Sequence, residues 1–319
     1  MGAGAAQGRA GRGRRSTVSR LAVVVLNWNG LADTRAALTS LLACRLPPGW
    51  EAALMMVDNG STDGSAQAVR REFPAVEVLA LPENRRFAGG NDAGLTRALA
   101  AGADAVMLVN NDTEADPGLF ERLIGALDAD PKAGAAAPLI RFAGPGERIW
   151  YAGGWCVPWL GLVAHRGLRA RDRGQFTRTE PTGYLTGCCL LARAEAWEQV
   201  GLLDERYYIY AEDADWSLRA RAAGYRLLFV PGARLTHKVS AAAGAASPFK
   251  IAHRLRANLT LFARHARGLG RVTWLPCFLL QQVALAFWLL ARGRFAAAGA
   301  VPRALWAAAL GQPAAEMRP

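Results

Sequence analysis

Leu21 to Leu26 is an unbroken aliphatic run, rich in Val, that stops at Asn27-Trp28-Asn29-Gly30. A strand buried on both faces has this pattern. Leu31 to Ala43 then shows helical spacing through Leu38, Leu41 and Leu42. The same alternation recurs. A strand over Ala52–Val57 ends in Asp58-Asn59-Gly60-Ser61-Thr62-Asp63-Gly64, and residues 65–73 suit a helix. A strand over Val76–Leu81 ends in Pro82-Glu83-Asn84, and Ala88 to Ala101 suits a helix with a Gly-rich start. A strand over Ala105–Val109 ends in Asn110-Asn111-Asp112. Strands that each end in a polar cluster and feed a helix predict an α/β fold, an open and mostly parallel sheet with helices on both faces. Ligands of such sheets bind beyond the carboxyl ends of the strands. Any one cluster is ordinary turn chemistry; all of them on one edge point to a site.

No strand is followed by G-x-G-x-x-G and no Walker A sequence occurs, which argues against nicotinamide and P-loop enzymes. The 319 residues are 52% hydrophobic and 20% charged, so wholesale disorder is excluded. Five Cys without a C-x-x-C pair do not make a disulfide scaffold and fit a reducing compartment.

The net charge of +12 is unevenly placed: +5 over residues 1–20, −2 over 21–239 and +9 over 240–319. A nucleic-acid-binding domain carries its basic stripe on the folded core; here the folded part is slightly acidic, so no nucleic-acid partner is expected. Basic flanks next to apolar sequence suit an anionic membrane surface. Residues 1–20, Gly, Ala and Arg with almost nothing to bury, read as a disordered tail. Val272 to Ala291 runs 20 residues without a charge, about the length that spans a ~30 Å hydrocarbon core. A second apolar stretch, Phe295 to Leu310, is interrupted by Pro302 and Arg303. The expected organisation is a tail over 1–20, a catalytic domain over 21–240 and a basic, hydrophobic, membrane-associating helical region over 241–319.

Asp112 closes a strand after two Asn, a donor set that suits a hard divalent cation, Mg²⁺ or Mn²⁺, completed by water and substrate phosphate. The blander reading is a helix cap. A second acidic cluster, Glu212-Asp213-Ala214-Asp215, opens a helix that continues through Leu218 and Ala222. The helix dipole accommodates one or two acids there and three poorly, so a general base is expected in the cluster. Glu212 and Asp215 share a face and Asp213 points elsewhere. His237 follows a strand-like stretch over Arg226–Pro231 and Ala233–Thr236, and on its own is an ordinary surface or structural His.

Taken together, VVLNWNG (24–30), VDNGSTDGS (57–65), ENRRFAGGNDAG (83–94), LVNNDT (108–113), TGCCLLARAEAWEQVGLLDERYYIYAEDADWSLRARAAGYRLLFVP (186–231) and ARLTHK (233–238) resemble the family 2 glycosyltransferases of the GT-A fold, rhamnosyltransferase-like branch. The resemblance implies a GT-A sheet with C-terminal hydrophobic helices outside it. It implies inverting transfer of a sugar, rhamnose first, from a dTDP- or UDP-linked donor to a hydroxyl of a glycan or lipid-linked acceptor. It assigns nucleotide binding to Asn27 and Asp58, lines the donor cleft with Asn84, Gly90 and Asn91, and puts Arg86 where the family has Gly. The D-x-D metal motif falls on Asn110-Asn111-Asp112, with Asn in the first acidic position. Asp112 and His237 then hold the cation and Asp213 is the base. The place implied is the cytoplasmic face of the plasma membrane. Two alternatives stand beside this: a sugar-phosphate nucleotidyltransferase, which would want a Gly-rich basic loop after the first strand, and a non-catalytic membrane-tethered sugar-binding protein.

Overall fold

A computed structural model describes residues 18–239 and 247–311; residues 1–17 of the expected basic tail lie outside it. In chain order the elements are β1 (Ser19–Asn27), α1 (Leu31–Leu42), β2 (Trp50–Asp58), α2 (Ser65–Glu72), β3 (Glu77–Ala80), α3 (Arg86–Ala100), β4 (Ala105–Asn110), β5 (Thr113–Ala115), α4 (Leu119–Ala129), β6 (Ala133–Phe142), β7 (Ile149–Tyr151), β8 (Gly154–Val157), β9 (Leu162–His165), β10 (Glu180–Pro181), β11 (Cys189–Arg193), α5 (Ala194–Val200), α6 (Glu212–Ala222), β12 (Arg226–His237), α7 (Pro248–His265), α8 (Gly270–Leu290) and α9 (Phe295–Ala309). A 3-10 turn, Pro158–Leu160, joins β8 to β9.

The main sheet runs β10-β12-β6-β11-β4-β1-β2-β3. Its β3-β2-β1-β4 half is parallel, built from the predicted strand and helix units. β11 enters antiparallel between β4 and β6, and β12 runs parallel to β6, so the sheet is mixed. The core strands β1 and β4 are closed to solvent, with Val23, Val24, Val25, Val106, Met107 and Leu108 each 0% exposed. β12 joins the two stretches read separately from the sequence; a register shift between Val230 and Arg234 absorbs Pro231 and Gly232, which a continuous ladder would not admit.

Pro302 does not break α9. Arg303 Nε donates to the Gly299 carbonyl at 3.0 Å, supplying a donor where the proline ring disturbs the backbone ladder.

α7 is fastened to α6 through one buried carboxylate. Asp215 is 0% exposed. It accepts from Arg219 Nε at 2.8 Å, Arg264 Nη1 at 3.0 Å and Tyr207 Oη at 3.2 Å, and its Oδ1 lies 2.7 Å from His265 Nε2. Burial alone would raise its pKa, but the bonds from His265 and Arg219 and the neighbouring Arg charges hold it below the ordinary Asp value. Removing this acid takes the shared buried acceptor from Arg219, Arg264 and His265, leaving Arg219 on the Val200 and Leu202 carbonyls and Arg264 on Asp204. Asp215→Ala should therefore cost about 3–5 kcal/mol in urea unfolding; a loss under about 1 kcal/mol would show that α7 is held by its apolar face instead.

Candidate active site

The carboxyl ends of β1, β2 and β4 meet in register, with Asn27 opposite Asp58 and Leu26 opposite Asn110. Asn27 is wholly buried and joins them. Its Nδ2 donates to Asp58 Oδ1 at 3.0 Å, and its Oδ1 accepts from Thr34 Oγ1 at 2.8 Å and Asn111 Nδ2 at 3.1 Å. The expected nucleotide-binding residues Asn27, Asp58 and Asn111 thus form one network.

A second network holds the loop before α3. Asn59 donates to Asn84 Oδ1 at 3.1 Å and to the Arg86 carbonyl at 3.0 Å, and Asn84 Oδ1 accepts from the Arg86 N–H at 2.7 Å. Gly90 lets α3 approach closely here, because a Cβ would lie 2.6 Å from Leu26 Cδ1 and 3.0 Å from Asn59 Nδ2 and those side chains would have to shift. Asn91 turns back on its own helix and donates to the Phe87 carbonyl at 2.9 Å. Arg86 adopts a left-handed φ of 63°, the conformation that a Gly would take without strain. Its guanidinium stacks 4.1 Å from the Tyr208 ring centroid, a contact worth about 0.5–1 kcal/mol that offsets part of that strain.

Asp112 follows β4, and its Oδ1 lies 3.0 Å from Nε2 of His237, at the end of β12. His237 Nδ1 is buried without a hydrogen-bond partner, and Trp150 stands edge-on at 4.7 Å, so Asp112 is the polar group that orients the ring. Among the described residues no three His, Cys, Asp or Glu side chains converge as a metal cluster. The pair alone still fits a hard cation. Cis ligands about 2.1 Å from an octahedral ion stand about 3.0 Å apart, and such ions take their other ligands from water and phosphate.

Asp213 lies in the first turn of α6. Its Oδ2 accepts from the Gly187 N–H at 2.9 Å and its Oδ1 from the Ala214 N–H at 2.7 Å. Burial pushes its pKa up, and these backbone donors restrain the shift. Glu212 is buried with Oε2 unpartnered; burial, then the charge of Asp213, push it up to about 8. The segment between them and the sheet edge is short: the Cys188 carbonyl accepts from the Asn110 N–H at 3.0 Å. Burial raises the Cys188 thiol pKa, and the charges of Asp112 and Asp213 raise it further.

Residues 22–201 fit the model of the family described as glycosyl transferase family 2. The chain belongs to that family. An N-acetylglucosaminyl-diphospho-decaprenol L-rhamnosyltransferase of Mycobacterium tuberculosis is 30% identical over 241 residues, covering 67% of this chain and 76% of the relative. Among solved structures, a mannosyltransferase from Pyrobaculum calidifontis in complex with GDP-Man and Mn²⁺ superposes with a TM-score of 0.59 at 19% identity, covering 93% of this chain and 78% of the other. GalNAc-T7, solved with UDP, GalNAc and Mn²⁺, gives 0.60 at 18% identity, covering 77% of this chain and 48% of its own, so the chain spans about half of that transferase. These likenesses show the GT-A fold.

In this glycosyltransferase, sequence reasoning left several parts of the site unassigned. Gly187 brings its backbone against Asp213, and a Cβ there would lie 3.0 Å from the Phe87 ring. Trp150 packs between His237 and His165, whose ring pKa is lowered to about 4 by burial. Tyr210 and Ala211, at φ 73° and 70°, turn the chain sharply into α6. The Gly in TGCC was the one local sign of a close backbone approach; Trp150 and Tyr210 carried no pattern at all.

Glu212 gives a pH test. An acid whose folded pKa is raised binds its proton more tightly in the folded state, so its stabilising effect is complete below the unfolded pKa and lost as pH rises through the folded one. For Glu212 that window runs from 4.5 to about 8. Glu212→Gln should raise the Tm relative to wild type at the top of this window and leave it unchanged at the bottom, read by thermal melts across pH. Equal shifts at both ends would remove the buried, protonated Glu212 from the account.

Proposed function

We propose that this glycosyltransferase moves a sugar, L-rhamnose first, from a dTDP- or UDP-linked donor to a hydroxyl of a lipid-linked glycan, with inversion, at the cytoplasmic face of the membrane. The observation that carries the reading is the link between the end of β4, where Asp112 meets His237, and Asp213, through the Asn110–Cys188 backbone bond and the Gly187 N–H next to it. The mycobacterial relative, named for rhamnosyl transfer to a diphospho-decaprenol acceptor, supports the sugar and the acceptor class. The Mn²⁺ in the two solved transferases supports a divalent cation.

The chemistry follows from the geometry. Asn27, Asp58 and Asn111 give the nucleotide a rigid floor, because each side chain is already fixed by a partner. Asn84, Gly90 and Asn91 shape the wall of the donor cleft beside it. Asp112 and His237 would hold a divalent cation, which when bound would offset charge on the departing diphosphate. Asp213 takes the acceptor proton as the hydroxyl attacks the anomeric carbon from the face opposite the leaving group. Its raised pKa makes it a stronger base than an exposed Asp, and the Gly187 and Ala214 N–H groups fix its direction. Glu212, held protonated near neutral pH, spares Asp213 a second negative charge at its side.

The C-terminal region extends the reading. α8 is apolar enough and long enough to cross a bilayer, and only 11% of its most apolar window is buried against the protein. We take this region, with the basic residues around it, as the membrane-associating part of the chain.

Two substitutions divide the roles. Asp213→Asn should keep nucleotide-sugar affinity, measured by calorimetry, while kcat falls about 10²–10⁴-fold. Turnover within a few-fold of wild type would pass the base to Glu212. Asp112→Ala should abolish the stimulation of nucleotide release by Mg²⁺ or Mn²⁺ while the melting curve stays cooperative. Full turnover of the wild type in EDTA would remove the cation from the mechanism.

A further inference from the structure

α8 is fastened to the catalytic domain along its side. Thr273 Oγ1, in its first turn, donates to the Trp159 carbonyl at 2.8 Å, and Gln281 Nε2, at mid-helix, donates to the Leu160 carbonyl at 2.8 Å. Gly270 lies so close to the same turn that a Cβ would stand 2.9 Å from Trp159 Cβ. Phe278 packs over Gly161 and is 1% exposed, and Leu289, near the far end, is also 1% exposed. The opposite face is open. Val272, Leu275, Leu279, Leu280, Val283 and Phe287 recur at helical spacing and are 38–74% exposed. The β8–β9 hairpin that grips α8 adds Trp155 and Trp159, at 50% and 54% exposure.

A helix crossing the hydrocarbon core would have to take this hairpin with it. β8 and β9 form a separate two-stranded sheet, paired outward at Gly154 to Thr182 and Gly183, and its remaining outer backbone groups would then face lipid without water to satisfy them. An interfacial helix has no such cost, because its apolar face alone enters the acyl boundary, to about 5–10 Å. Charge points the same way. Arg267 and Arg271 precede the apolar stripe, Arg292 and Arg294 follow it, and residues 247–311 contain no acid. Lying flat, all of these reach the anionic headgroups of one leaflet; crossing would divide them between two. Arg292 stacks 4.3 Å from the Trp288 ring, a pairing suited to the headgroup level.

We propose that α8 lies in the plane of an anionic bilayer surface, with the Trp155/Trp159 hairpin beside it, and does not cross the membrane. This rests on the reading of the C-terminal region as membrane-associating. It adds that the catalytic domain is held directly on the lipid surface through the hairpin, since β9 ends at His165, whose ring packs on Trp150, which in turn packs on His237. The surface that meets lipid and the candidate cation site are then joined by one short line of side chains, a placement suited to an acceptor whose reactive end stands just above the headgroups.

The test uses full-length protein in sealed membrane vesicles with the catalytic domain facing outward, in a Cys44→Ser, Cys277→Ser background. Arg271→Cys and Arg292→Cys are labelled separately with a membrane-impermeant maleimide. In-plane binding predicts equal labelling of both before detergent is added. Labelling of only one until detergent is added overturns the proposal and leaves membrane association standing. Recovery of the full-length protein in the soluble fraction overturns the membrane reading itself, and this proposal with it. As a second measurement, Trp155→Ser with Trp159→Ser should weaken binding to phosphatidylglycerol and phosphatidylcholine vesicles about tenfold while leaving turnover on a short-chain, water-soluble acceptor unchanged. Undiminished vesicle binding would remove the hairpin from the membrane surface.

Discussion

The buried side chain of Asn27 is the point on which the site depends. It sits where three parallel strands end in register, and both its amide atoms are committed: Nδ2 to Asp58, Oδ1 to Thr34 and Asn111. An amide that is buried and fully hydrogen-bonded tolerates little movement, because each lost bond would leave a polar group unpaired inside the protein. It therefore fixes the turn after β4 relative to β1, β2 and α1. That turn carries Asn110, Asn111 and Asp112, so the direction of Asp112 toward His237 is set by packing rather than by the ligand it would hold.

The other half of the site is placed by strain. Two successive non-glycine residues, Tyr210 and Ala211, have positive φ immediately before α6. Such residues cost of order 1–3 kcal/mol each and persist where the surroundings over-determine them. Here the surroundings include Asp215 one turn along, tied to α7, and Gly187, whose N–H meets Asp213. The result is a half-buried carboxylate whose pKa burial raises and whose bonds from the Gly187 and Ala214 N–H groups restrain that rise.

Much of this was legible in the chain. The strand and helix alternation of β1 to β4 is local, and hydrophobic periodicity reports it directly. The polar clusters could be placed together because parallel strands must bring their carboxyl ends to one edge, and Asp112 stood out there as a carboxylate; Asn27 and Asp58 were singled out by the family resemblance. The separate faces of Glu212 and Asp213 followed from helical spacing. What stayed hidden depends on contacts between distant segments. Nothing near residue 189 says that β11 inserts antiparallel between β4 and β6. Nothing near residue 264 says that Arg264 and His265 meet Asp215, about fifty residues away. The grip of the Trp159 turn on α8 joins backbone carbonyls to Thr273 and Gln281, two polar side chains within the uncharged run.

The central claim is a single displacement at the anomeric carbon with Asp213 as the only base. Its most direct test is the anomeric configuration of the first product, followed by proton NMR from the start of the reaction with a donor of known configuration. One base opposite a leaving diphosphate predicts a product of inverted configuration from the first turnover. Retention of configuration would contradict the account, since it would require a nucleophile on the donor's other face.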